Sequence, residues 1–147
     1  MIRKILIPCD GSVAAEQAVE RGIELAKAMH ASVVGLAVTE PFPLKMYGEL
    51  MLAGVESMQH YNDHERELAE RTLAPIKQAA RAAGVAYQSA AVSSNSTANA
   101  VITAAEEEDC DLICIAAHNG HPMLGAHLDK DTTWILTHAR MPVLLCH

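Results

Sequence analysis

The segment Asp111–Asp131, DLICIAAHNGHPMLGAHLDKD, limits the fold more than any other part of the chain. It opens with Leu112-Ile113-Cys114-Ile115-Ala116-Ala117, six residues without a polar side chain, entered from Asp109-Cys110-Asp111. So short and so continuous a run fits a parallel strand buried on both faces. A loop with Gly120, Pro122, Gly125 and three histidines follows, and Asp129, Asp131, Thr132 and Thr133 then offer N-caps for a helix over Trp134–Ala139. A buried strand that leads through a glycine-containing loop into a helix N-terminus aims backbone N–H groups at one point. That arrangement is a general recipe for an anion site.

The rest of the chain repeats the strand–helix alternation. Residues 4–8, KILIP, form an apolar strand ending at Cys9-Asp10-Gly11-Ser12, a turn in which Gly11 tolerates positive φ and Ser12 can cap a helix. Over Val13–Met29, Ala15, Ala18, Val19, Gly22, Leu25, Ala26 and Met29 fall on one helical face. Ser32–Val38 is a second buried strand. Thr39–Ser57, with Pro41, Pro43, Met46, Tyr47, Leu50, Met51 and Val55, reads as a long connection of the kind that serves as a lid, binding loop or partner surface. A helix is expected from about Gln59 to Ala83, kinked or split in two at Pro75 and terminated by Gly84. Ala86–Val92 is a third strand and Thr97–Glu107 a helix burying Ala98, Val101, Ile102 and Ala105. After the central strand, 112–117, come the loop, a last helix and a final strand, Val143–Cys146.

Right-handed crossovers turn this order into an open parallel α/β sheet with helices on both faces. Ligands in such sheets bind beyond the carboxyl ends of the strands. The Cys9–Ser12 and Ala117–Asp131 loops are therefore expected to face each other across a crevice. A chain of 147 residues is read as one domain, 1–147, that buries roughly 68–70% of its unfolded surface.

Bulk composition narrows the function classes. The net charge is −7 without a lysine/arginine cluster, and aromatics make up 3%, which argues against DNA or RNA as partner. No apolar run approaches a membrane span and no signal-peptide core precedes the first strand, so a cytoplasmic protein without membrane attachment is expected. Cys9, Cys110, Cys114 and Cys146 follow no zinc or disulfide spacing and read as reduced thiols, three of them in apolar surroundings.

Four stretches, ILIPCDGS, LAVTEP, DLICIAAH and HARMPVLLC, resemble the universal stress protein family in order and spacing over nearly the whole chain. The resemblance implies a Rossmann-like five-stranded sheet of order 3-2-1-4-5 and commonly a homodimer through the last strand. Family members that bind ATP resemble G-x2-G-x9-G-[ST] across the central loop. Laid on this chain, the motif falls on Ala117, Gly120 and Lys130-Asp131, so one glycine of three survives. A carboxylate at Asp131 about 4 Å from a phosphate oxygen costs on the order of 1 kcal/mol in water and about 4 at an effective dielectric of 20. Lys130, or a magnesium ion held by Asp131, would offset part of that. On the adenosine side the resemblance keeps Pro8 and Asp10, in IPCDGS, and Val38, in LAVTE, although an Asp at Asp10 also simply caps a turn. The implied role is a non-enzymatic regulatory module in the stress response. Two readings follow: impaired or altered adenine-nucleotide binding with reliance on an unidentified protein partner, or an ATP/AMP-dependent switch. The cofactor is accordingly ATP or AMP with magnesium, or none.

Other chemistry has weaker support. His118, His121 and His127, with Cys9 and Asp10 opposite, combine zinc or copper ligand types, but x2 then x5 is no established ligand spacing. Cys9 near a helix N-terminus is either a redox thiol of lowered pKa or an inert small residue. Asp10, Ser12 and His118 lack the G-x-S-x-G elbow, Walker lysine loop or Rossmann glycine signature that would point to an enzyme. Trp134 reads as packing rather than a ligand stack.

Overall fold

The computed structural model describes residues 1–42, 44–117 and 128–146, with the backbone alone of residues 44, 45 and 50. In chain order the elements are β1 (Lys4–Pro8), α1 (Val13–Met29), β2 (Ser32–Thr39), α2 (Leu44–Ala53), α3 (Val55–Ala83), β3 (Tyr87–Ser93), α4 (Thr97–Glu107), β4 (Leu112–Ala116), α5 (Lys130–His138) and β5 (Val143–Cys146). The strands form one parallel sheet of order β3-β2-β1-β4-β5, the order the family resemblance implied.

Alternation along the central strands assigns side chains to two cores. Ile5, Ile7, Val33 and Cys114 pack under α1 and α3, while Leu6, Val34, Ile113 and Ile115 pack under α4 and α5. Ile5, Leu6 and Ile7 are wholly inaccessible, each contributing about 1.5–3 kcal/mol of apolar burial. Two glycines allow close approach. A Cβ on Gly22 of α1 would lie 2.5 Å from Ile7 Cδ1, and one on Gly35 of β2 would lie 2.9 Å from Tyr87 Oη and 3.2 Å from Ile76 Cδ1. The second contact seats α3 and the Tyr87 ring directly on the sheet.

The start of β4 is tied to the start of β1 by one carboxylate. The backbone N–H groups of Arg3 and Lys4 donate to Asp111 Oδ2 at 2.8 and 3.0 Å, and Asp111 N–H returns a bond to the Lys4 carbonyl at 2.8 Å. These backbone donors hold the Asp111 carboxyl below its ordinary value of 3.8.

Three expectations need correction. The segment after Pro43 is helical, not a long connection: α2 spans Leu44–Ala53, and α3 begins at Val55 rather than near Gln59. The prolines exclude helix only up to residue 43, the residues beyond are good helix formers, and Gly54 at φ 94° separates the two helices. Second, of the kink or split expected at Pro75 the split does not occur, since α3 runs 29 residues through it to a left-handed cap at Gly84. Third, α5 begins at Lys130 rather than Trp134, with Asp129 as its N-cap. Smaller shifts concern β3, which starts at Tyr87 although the Ala86 carbonyl still accepts from Val33 at 2.8 Å, and β4, which ends at Ala116 although Ala117 N–H still reaches the Cys146 carbonyl.

The Gly35 contact predicts that Gly35→Val, by overpacking against Tyr87 and Ile76, lowers stability by about 1–3 kcal/mol. At roughly 2–4 °C per kcal/mol for this chain length the melting temperature falls by at least a few degrees, and an unchanged melt contradicts the packing. Asp111 supplies a pH test. Because its folded pKa is depressed, its contribution is fully present above 3.8 and is lost as pH falls through the lower folded value. Asp111→Asn should therefore melt below wild type at neutral pH, with the gap closing in acid.

Candidate functional site

Strand β1 ends in a turn built by its own residues. Asp10 Oδ1 accepts the Ser12 N–H at 2.9 Å, Gly11 holds φ 78°, and Ser12 Oγ accepts the Ala15 N–H at 3.3 Å to cap α1. Across the mouth of the sheet α5 begins in the same manner. Asp129 Oδ1 accepts the Thr132 N–H at 2.6 Å, while the Asp129 carbonyl receives the Thr133 N–H at 3.0 Å and its hydroxyl at 2.8 Å. Between the two turns lies a cavity of about 240 Å³. Its floor is apolar, with Leu36, Val101, Ile115 and Ile135, and its rim carries Asp10, Thr97, Asp129, Asp131 and Thr132.

The first four N–H groups of a helix have no partner within it and attract anions. In α5 one of those donors, the Thr132 N–H, is taken by the Asp129 carboxylate, and Asp131 adds a second negative charge in the first turn.

Of the residues expected at the site, Pro8, Asp10, Val38 and Asp131 line this cavity. Ala117 and Lys130 do not: Ala117 continues the pairing of β4 with β5, and Lys130 is exposed on the first turn of α5. Their neighbours Ala116 and Asp129, one residue earlier, take the cavity positions. Asp129 stood among four N-cap candidates, and since each of them has a backbone N–H three residues on, nothing in the sequence singles it out. Nothing in the sequence marks the floor residues apart from other core positions. Gly120, together with His118, His121 and His127, lies outside the described residues.

The remaining candidates are placed as follows. Burial pushes the Cys9 thiol up; the Gly11 N–H opposes this, and the charges of Asp10 and Glu16 reinforce it, so Cys9 is a thiol rather than an activated thiolate. Cys110, Cys114 and Cys146 are likewise free and buried, with Cys110 raised to about 11 by burial. Among the described residues no three His, Cys, Asp or Glu side chains converge as a metal site. Trp134 donates to Asn99 Oδ1 at 2.9 Å and stacks on His138 with centroids 3.7 Å apart, outside the cavity. Within the described residues no helix is long and apolar enough to cross a membrane.

A profile of the universal stress protein family matches residues 1–147. The chain belongs to this family. No curated protein matches it at a comparable level. Among solved structures it is similar to a universal stress protein of Burkholderia pseudomallei, 28% identical over 98% of this chain and 95% of that one, with a TM-score of 0.73. A universal stress protein crystallised with cAMP is 16% identical over 99% and 97% of the two chains, with a TM-score of 0.68. The universal stress protein of Archaeoglobus fulgidus in complex with dAMP is 15% identical over 100% and 98%, also at 0.68. These two likenesses establish the shared fold.

The Asp129 cap carries a stability prediction for this universal stress protein. Asp129→Ala should cost about 1 kcal/mol, and Asp129→Ser should recover most of it because a hydroxyl still accepts the Thr132 N–H. Equal melting of wild type and Asp129→Ala contradicts the cap.

Proposed function

We propose that this universal stress protein is a non-enzymatic regulatory module of the cytoplasm whose crevice takes a small adenosine compound, with phosphate affinity reduced relative to family members that carry the glycine motif. The observation that carries the reading is the Asp129 carboxylate on the Thr132 N–H at 2.6 Å, which places a negative charge on one of the donors at the start of α5. The apolar floor accommodates a purine, and Asp10 at the β1 turn stands where a ribose hydroxyl can donate to it. A cavity of about 240 Å³ falls below the roughly 300–1,000 Å³ of ordinary ligand sites, which favours AMP over ATP. The cAMP and dAMP carried by two structural relatives belong to the same chemical class. Magnesium is expected to help, since a hard cation between Asp131 and a phosphate turns repulsion into shared coordination. In this reading the output passes to a protein partner, and the family's dimer through β5 is retained.

Thermal melts with AMP, ADP and ATP, each with and without magnesium, test this. A ligand at a hundred times its Kd stabilises by about 2.7 kcal/mol, some 5–10 °C here. The expected order is AMP above ATP without magnesium, with the gap narrowing when magnesium is added. No shift with any nucleotide at millimolar concentration would leave a module that works through protein contacts alone. Asp131→Ser, which leaves Lys130 in place, should raise ATP affinity at least about fivefold, the low end of removing one nearby carboxylate.

A further inference from the structure

Strand β3 is one edge of the sheet, and among the described residues no strand pairs with its outer side. Val33 N–H donates to the Ala86 carbonyl at 2.8 Å and Ser94 N–H to the Thr39 carbonyl at 2.9 Å. In a parallel ladder alternate residues make both bonds, so Gln88, Ala90 and Val92 face β2 while Tyr87, Ser89, Ala91 and Ser93 turn N–H and C=O outward. Edge strands are usually protected by shortness, charge, proline or a bulge. β3 has none of these: it is seven residues long against four in β5, its sequence is YQSAAVS, and its register with Val33–Thr39 is unbroken.

Helix α3 runs antiparallel alongside and leaves an open groove of about 1210 Å³ between itself and β3. The groove's charges are divided. Glu65, Arg66 and Glu70 lie toward the Ser93 end, and Lys77 and Arg81 toward the Tyr87 end. Lys77 and Arg81 are four residues apart, a like-charge spacing that destabilises a lone helix. Among the described residues none of these five charged groups enters an ion pair.

We propose that a second copy of this chain docks on this edge, β3 against β3 antiparallel, about a twofold axis normal to the sheet. With Ala90 facing its own mate, Tyr87 opposes Ser93 and Ser89 opposes Ala91, so every outward pair falls on the hydrogen-bonded positions of an antiparallel ladder. The same axis sets the two α3 helices antiparallel on one face of the sheet. Lys77 and Arg81 of each then lie toward Glu70 and Glu65 of the other. The lengths agree: β3 spans about 20 Å at ~3.3 Å per residue, and Glu65 to Arg81 about 24 Å at ~1.5 Å per residue. A foreign extended peptide would satisfy the backbone edge but would leave the divided charges unused; self-association is the arrangement that uses both. The surface is distinct from the β5 edge and from the cavity.

Sedimentation of the full chain from low micromolar to submillimolar concentration, with circular dichroism to verify folding, tests the proposal. Wild type should show a reversible association step that Ala91→Pro weakens at least tenfold, since the proline removes an outward N–H and leaves the ladder to β2 intact. Lys77→Glu with Arg81→Glu, and Glu65→Lys with Glu70→Lys, should each weaken the same step, and an equimolar mixture of the two double variants should restore it as an assembly containing both. A wild type without such a step, a step unchanged in Ala91→Pro, or a mixture that stays apart overturns the proposal.

Discussion

All five strands run in the same direction, and this constraint organises the rest of the molecule. A parallel strand cannot be joined to its neighbour by a tight turn, so the chain must return over a face of the sheet each time, and both faces become buried. That is why Ile5, Leu6 and Ile7 are all inaccessible although they point to opposite sides. It is also why helix and sheet need glycine at the points of closest approach, as Gly22 does under Ile7 and Gly35 under Tyr87. The loops leaving the carboxyl ends gather at one rim, and two of them, about a hundred residues apart, become the walls of one crevice.

What the crevice can hold is set by how the N-terminus of α5 is satisfied. The usual partners of orphan N–H groups are water, a ligand or a side chain. Here the side chain on the Thr132 N–H is Asp129, with Asp131 in the same first turn, so this end of α5 carries two carboxylates of its own. The apolar floor and the Asp10 turn are unaffected by that change. The described walls of the crevice thus differ in character, with apolar side chains on one part and the Asp10, Asp129 and Asp131 carboxylates on the other. Family membership supplies the scaffold, whereas these side chains decide which ligand chemistry it tolerates.

Much of this was legible in the sequence where burial and periodicity coincide. The bounds of α1 and α4 emerge because their apolar residues repeat at the helical period, and those of β1 and β5 because short continuous apolar runs read as strands. Helix α2 was hidden because Met46, Tyr47, Met51 and Leu52 stay exposed, so no buried face imposes a helical period. The start of α5 was blurred by four adjacent cap-forming residues, among which only the backbone path selects Asp129. Which residues line the cavity turns on similar detail: Ala116 rather than Ala117 follows from where β4 stops against β5, and Asp129 rather than Lys130 from where α5 begins. The edge groove of β3 had no sequence signature, since it arises from two elements meeting.

The claim that matters most is that the β1 turn and the α5 cap form a single binding surface. An amide-resolved NMR titration with AMP measures it directly. The account predicts shifts that saturate with one common Kd at Gly11, Ser12, Val38, Ala116 and Thr132. Perturbation of the β1 turn without the α5 cap, or of neither while AMP binds elsewhere, would contradict it.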